Sequence, residues 1–93
     1  MPREIVFKRN FRHAYDALSE ENKRQVDESL KDFGHYLSTQ KAPVGLGLKR
    51  LGEGVYEFRA GLSLRAVYVL GKSEVVLALL GTHDDVRRYL KRQ

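Results

Sequence analysis

The sequence has no cysteine and no tryptophan, and no apolar run approaches the roughly 18 residues that a membrane-spanning helix needs. Without cysteine there can be no disulfide and no thiolate chemistry. The three histidines are scattered and lack the spacing of zinc ligands, so we expect neither a metal nor another cofactor. Charge begins at Arg3, which predicts that the protein has no signal peptide, makes no membrane contact and lies in the cytoplasm.

The 93 residues predict a single domain spanning 1–93, because the chain is long enough for one hydrophobic core but not for two. Its net charge of +5 is concentrated in the second half. Residues 1–43 contain 8 basic and 7 acidic side chains, whereas residues 44–93 contain 9 and 5. This excess predicts an anionic partner, either a nucleic acid or an acidic protein; the alternative is an ordinary solvated surface.

The first half of the chain has the patterns of one strand and two helices. Residues 3–8 are a short segment with β-branched residues between charged ones, which predicts a strand. Asn10 can cap the first helix, whose apolar stripe consists of Phe11, Ala14, Tyr15 and Leu18. Ser19 can cap the second helix, which we expect to end near Thr39.

In the second half the pattern changes to the period of strands. Residues 40–54 are rich in glycine and predict a long loop. Alternation then predicts three strands, at 55–59, 64–70 and 75–80, and a closing helix over 84–91. The order β-α-α-β-β-β-α predicts an α+β fold in which two N-terminal helices pack on one face of a small antiparallel sheet. We expect the first strand to pair with one of the last three.

One face of this sheet is predicted to be basic. Alternation places Glu57, Arg59 and Arg65 on the face opposite the two N-terminal helices. Arg65 interrupts an apolar strand, so its guanidinium is expected either to lie in solvent or beside Glu57, or to bind a phosphate. Arg59 favours the phosphate, because two guanidinium groups on one face repel each other unless an anion lies between them.

A strand meets a helix near the C-terminus. Thr82 and Asp85 have the spacing of a capping box directly after Gly81. His83 follows at this junction, and histidine is the side chain that exchanges a proton near neutral pH. His83 at this junction is therefore either an ordinary surface residue or an acid–base group held at the end of a strand. The closing helix also carries Tyr89 among four basic residues, Arg87, Arg88, Lys91 and Arg92.

Several segments together resemble the RelE/ParE superfamily of bacterial and archaeal toxins. They are Val55-Tyr56-Glu57-Phe58-Arg59, Leu64-Arg65-Ala66-Val67-Tyr68 and Gly81-Thr82-His83-Asp84-Asp85-Val86, with Tyr89 and the basic segment Leu48-Lys49-Arg50-Leu51. The resemblance covers nearly the whole chain. It favours the ribonuclease (RelE-like) branch, because the gyrase-inhibiting branch generally lacks the catalytic set to which His83 and Tyr89 correspond.

The resemblance implies a metal-independent endoribonuclease that cuts messenger RNA in the ribosomal decoding site. The ribose 2′-hydroxyl attacks the adjacent phosphate, which requires a base, an acid and positive charge at the phosphorane. By position, Arg65 matches the family's transition-state arginine, and His83 and Tyr89 match catalytic positions. One branch has paired lysines where this chain has Glu57 and Arg59. The second proton-transfer group beside His83 is therefore expected to be Glu57 or Tyr89.

The resemblance also implies partners. RNA binding is expected at Lys49, Arg50, Arg59, Arg87 and Arg88. The expected partners are messenger RNA, the ribosome with its 16S rRNA, and a cognate antitoxin protein in a toxin–antitoxin hetero-oligomer. Two alternatives remain: a non-enzymatic ParE-like toxin that inhibits DNA gyrase, and a degenerate binding module without toxicity.

Overall fold

Five strands and three helices make up the fold in the computed structural model, which describes residues 3–92. In chain order they are β1 (Glu4–Phe7), α1 (Arg9–Asp16), α2 (Glu20–Thr39), β2 (Lys49–Gly52), β3 (Val55–Arg59), β4 (Arg65–Leu70), β5 (Glu74–Gly81) and α3 (His83–Lys91). This arrangement confirms the predicted α+β class. Within residues 3–92, no helix is both long enough and apolar enough to cross a membrane.

The strands form one sheet in the order β1-β5-β4-β3-β2. Strands β3, β4 and β5 are an antiparallel meander, as predicted, and β2 extends it by one more antiparallel strand. Strand β1 pairs with β5, which confirms that the first strand joins the C-terminal ones. The pair is parallel, with Ile5 opposite Val75, so the sheet is mixed rather than purely antiparallel.

The predicted loop over residues 40–54 is wrong in its second half, where β2 forms an additional strand. Its four residues pair with β3, with Lys49 opposite Glu57 and Arg50 opposite Tyr56. Sequence periodicity did not indicate this strand, because an edge strand this short and polar has no apolar alternation. Three of its four residues are exposed.

The structure confirms the predicted ends of α2 and corrects the predicted start of α1. Ser19 caps α2 as predicted, accepting a hydrogen bond from the Asn22 N–H at 3.2 Å, and α2 ends at Thr39. Asn10 is not the cap of α1, because the helix begins one residue earlier, at Arg9. The Lys8 N–H donates to the Leu77 carbonyl at 3.0 Å, so Lys8 is still bound to β5 and α1 begins at the next residue.

The two faces of the sheet are covered by different helices. Helices α1 and α2 cover the main core, in which Phe33 stacks on Phe58 with ring centroids 4.5 Å apart. Val67 is fully buried but projects to the opposite face, because it lies between two core residues of β4. Helix α3 contacts β4 and β5 and buries Val86. The basic face predicted from the sequence is therefore partly covered by α3.

Candidate functional site

Strand register assembles the basic side chains on the face that α3 partly covers. Lys49 lies opposite Glu57 on β3, and Arg59 of β3 lies opposite Arg65 of β4. Residues directly opposite each other on neighbouring strands share a face. Lys49, Glu57, Arg59 and Arg65 therefore lie on one side of the sheet, and we refer to these four residues as the basic face. Gly81, the last residue of β5, lies opposite Arg65.

An ion pair orients Arg65 on the basic face. Its Nη1 atom lies 2.6 Å from Oε2 of Glu57. The Glu57 side chain is only 4% exposed, whereas the Arg65 side chain is 31% exposed. A buried carboxylate requires a partner, and the arginine fork has five N–H donors, so one contact leaves others free. The pairing with Glu57 is thus present, and the exposed part of the guanidinium can still meet an anion.

The junction of β5 and α3 is fixed by a capping box. The Asp85 N–H donates to Thr82 Oγ1 at 3.2 Å, and the Thr82 N–H donates to Asp85 Oδ2 at 2.8 Å. Hydrogen bonding by the Thr82 backbone and hydroxyl, together with the nearby charge of Arg88, lowers the pKa of the Asp85 carboxyl. A Cβ atom at Gly81 would lie 2.6 Å from Asp85 Oδ2, so this close approach requires glycine.

This junction brings His83 to the same cavity as Arg65. The cavity has a volume of about 310 Å³ and is lined by Leu62, Ser63, Leu64, Arg65, Thr82, His83 and Asp84. His83 is exposed at the first position of α3 and forms no ion pair with another described residue. The capping box leaves the backbone beneath His83 little freedom. The cavity therefore combines a fixed guanidinium with an accessible imidazole. We refer to it as the Arg65 cavity.

The other residues predicted from the resemblance lie elsewhere. Tyr89 lines a separate cavity of about 190 Å³ together with Arg88, which is paired with Asp85. Arg87 is exposed on α3 and does not line the Arg65 cavity. Arg50 lies opposite Tyr56, which packs against the main core, so Arg50 is on the other side of the sheet from the basic face.

Sequence reasoning missed the wall of the Arg65 cavity that is formed by the β3–β4 turn. Leu62, Ser63 and Leu64 belong to this turn, and Asp84 adds a carboxylate beside His83. The sequence does contain a feature that points to this wall. The short turn joins the two strands that carry Arg59 and Arg65, so its residues have to lie close to both arginines. No group of three or more histidine, aspartate or glutamate side chains in residues 3–92 is arranged to hold a metal ion.

Comparison with protein-family models gives no match, and comparison with curated proteins gives none either. Solved structures do match. A chain of the E. coli DinJ–YafQ toxin–antitoxin complex superimposes with a TM-score of 0.68 at 14% identity, covering 92% of this chain and 98% of that chain. For the RelB–RelE antitoxin–toxin complex from Methanococcus jannaschii the TM-score is 0.66 at 9% identity, covering 90% and 96%.

The YoeB dimer from Staphylococcus aureus gives a TM-score of 0.65 at 20% identity, covering 89% of this chain and 99% of that chain. All three alignments run over nearly the full length of both chains. The chain therefore has the RelE-like toxin fold, as the sequence resemblance predicted. At these identities the similarity establishes the fold, and the chemistry has to be argued from the side chains.

Proposed function

We propose that this protein is the toxin of a toxin–antitoxin pair and a metal-independent endoribonuclease that cleaves messenger RNA on the ribosome. The observation that carries the proposal is the Arg65 cavity, which Arg65 of the basic face and His83 both line. The RelE-like fold supports the class of protein, because the solved structures that share it include toxin–antitoxin complexes.

The proposed reaction needs no group beyond RNA and side chains. The ribose 2′-oxygen attacks the neighbouring phosphorus while the bond from phosphorus to the 5′-oxygen breaks, leaving a 2′,3′-cyclic phosphate and a 5′-hydroxyl. Arg65 stabilises the negative charge that develops on the phosphorane oxygens, where a fixed donor is most effective. Asp84 accepts the proton of the 2′-hydroxyl, and protonated His83 donates a proton to the leaving oxygen.

This assignment gives Glu57 a role other than that of a base. Its side chain is nearly fully buried and is bound to Arg65, so a ribose hydroxyl cannot approach it. We propose that Glu57 is a positioning residue that acts through Arg65. The catalytic role that the resemblance gives Tyr89 stays a prediction, because Tyr89 lines a different cavity from Arg65.

Binding in this proposal is mainly electrostatic. Lys49 and Arg59 lie on the basic face and hold phosphates of the messenger, which positions RNA without reading its sequence. Arg50, Arg87 and Arg88 lie outside the Arg65 cavity and contribute to the approach toward ribosomal RNA. The antitoxin neutralises the basic face through an acidic segment, which forms the toxin–antitoxin hetero-oligomer.

Controlled expression in bacteria, followed by mapping of transcript 5′ ends, tests the proposal. Wild-type protein should arrest growth and produce new 5′-hydroxyl ends within minutes. His83→Gln and Asp84→Asn should lose cleavage and keep the melting temperature, because both side chains are exposed. Arg24→Ala is the control for loss of one surface charge, because Arg24 is exposed on α2 and does not line the Arg65 cavity. Tyr89→Phe in the same assay tests the role that the resemblance gives that tyrosine.

Three outcomes would contradict the proposal in different ways. Cleavage by both the His83 and the Asp84 variants at the wild-type rate would overturn the catalytic assignment. Growth arrest with DNA damage and intact transcripts would instead indicate a gyrase inhibitor. Harmless expression of the wild-type chain would indicate a binding module without toxicity.

A further inference from the structure

A second cavity adjoins the proposed active site, and Arg59 is the one residue of its lining to which the proposed function gives a role. Its volume is about 470 Å³, and its lining residues come from α2, from the α2–β2 loop, from β3 and from the β3–β4 turn: Gln25, Glu28, Ser29, Gly45, Arg59, Gly61 and Leu62. This volume lies within the range of small-ligand sites. We refer to it as the Arg59 cavity.

The two cavities share a wall. Leu62 lines both of them and is 97% exposed at the tip of the β3–β4 turn. Arg59 and Arg65, one in each cavity, lie directly opposite each other on neighbouring strands. For a single-stranded RNA whose phosphate binds Arg65, Leu62 and the Arg59 cavity lie next to the binding site. The exposed leucine offers a base of that RNA an apolar surface.

The shared wall is held in place by contacts to α2. The Gln25 side-chain oxygen accepts a hydrogen bond from the Leu62 N–H at 3.3 Å. At Gly61 the backbone φ is 151°, and a Cβ atom there would lie 2.8 Å from the same oxygen. Glycine adopts this positive φ without strain and so allows the turn its conformation against α2. The Arg59 cavity is thus formed before any ligand arrives, which lowers the cost of binding.

The polar groups of the Arg59 cavity match a nucleobase better than a second phosphate. The Glu28 carboxylate forms no ion pair within residues 3–92, and it repels phosphate. A carboxylate only accepts hydrogen bonds, so it selects a ligand that offers N–H donors. Guanine, adenine and cytosine each carry an amino group, whereas uracil presents two carbonyl oxygens and a single N–H.

From this geometry we infer that the Arg59 cavity binds the base of a nucleotide next to the cleaved bond, and that Glu28 makes it discriminate against uracil. The inference rests on the proposed endonuclease function and adds a specificity-determining residue to it. Specific recognition of single-stranded RNA uses hydrogen bonds to base edges of this kind together with side-chain surfaces for the base planes.

The test compares transcript cleavage sites produced by the wild type and Glu28→Gln. Glu53→Gln is the matched control, because Glu53 is exposed in the β2–β3 turn and lines neither cavity. Wild-type sites should show uridine depleted about tenfold at one of the two positions flanking the cut, the factor expected for one charged hydrogen bond. Glu28→Gln should reduce that depletion to about threefold or less and should still cut transcripts, because Arg65 and His83 line the other cavity.

The outcomes separate this inference from the proposed function. If the wild type cuts transcripts and Glu28→Gln keeps the same depletion of uridine, the inference is overturned while the endonuclease stands. If the Glu53 control relaxes the depletion as much as Glu28→Gln does, surface charge explains the effect and the inference also fails. If the wild type cuts no RNA, the proposed function and the subsite fall together.

Discussion

The ion pair of Arg65 and Glu57 allows a catalytic role to be separated from a structural one. Arg65→Ala leaves a carboxylate that is 4% exposed without its partner. Breaking a buried pair in this way costs about 3–5 kcal/mol, and an exposed pair is worth about 1 kcal/mol or less. Because Arg65 itself is 31% exposed, water compensates part of the loss, and we expect a destabilisation of about 2–3 kcal/mol.

This loss should leave the protein folded. A chain of 93 residues has a total stability of about 5–14 kcal/mol, so Arg65→Ala remains native at 25 °C and melts roughly 10–20 °C lower. The double variant Glu57→Gln/Arg65→Ala removes the uncompensated charge and should recover about 1–2 kcal/mol. Transcript cleavage should be absent from both variants, since neither has a guanidinium for the phosphorane.

Thermal unfolding by circular dichroism measures the structural role of Arg65, and the growth-arrest assay measures its catalytic role. Arg24→Ala, which removes an exposed arginine of α2 that has no proposed role, should keep both its melting temperature and its toxicity. Equal melting temperatures for the single and double variants would refute the reasoning that Arg65→Ala leaves the buried Glu57 carboxylate without a partner. Restored toxicity in the double variant would refute the catalytic role, because Arg65 would then serve only to neutralise Glu57.

Two further predictions concern the helix junction and the basic face. Thr82→Ala should lower stability by about 1 kcal/mol in thermal unfolding at neutral pH. The pKa of Asp85 is lowered in the folded state, so its contribution is complete above the ordinary aspartate pKa and is lost as pH falls through the folded value. The difference between wild type and Thr82→Ala should therefore shrink in acid; a constant difference would contradict this. Lys49→Ala should weaken RNA binding and reduce the slope of log K against log salt by about 1. Arg50→Ala, on the other side of the sheet, should change binding to the same RNA less, and an equal effect would contradict the assignment of the basic face.

Periodicity predicted most of the fold because the helices and strands that line the core are regularly amphipathic. The stripe of α2 buries Val26 and Phe33, and the alternation of β3 and β4 buries Phe58 and Tyr68 against it. Strand β2 escaped prediction because its stability comes from backbone pairing with β3 and not from burial of its own side chains. The direction of β1 is likewise a property of the assembled sheet, since the residue pattern of an edge strand does not encode it.

Strand alternation predicts which side chains of the candidate site share a face of the sheet. It does not predict which residues from distant parts of the chain line the same cavity. Alternation alone placed Glu57, Arg59 and Arg65 on one face, and strand pairing then brought Gly81, and so His83, beside Arg65. Which carboxylate faces solvent depends on burial, which residue types do not reveal. Glu57 is therefore a candidate acid or base in the sequence, whereas in the structure it is buried against Arg65 and the exposed Asp84 is the carboxylate that lines the Arg65 cavity.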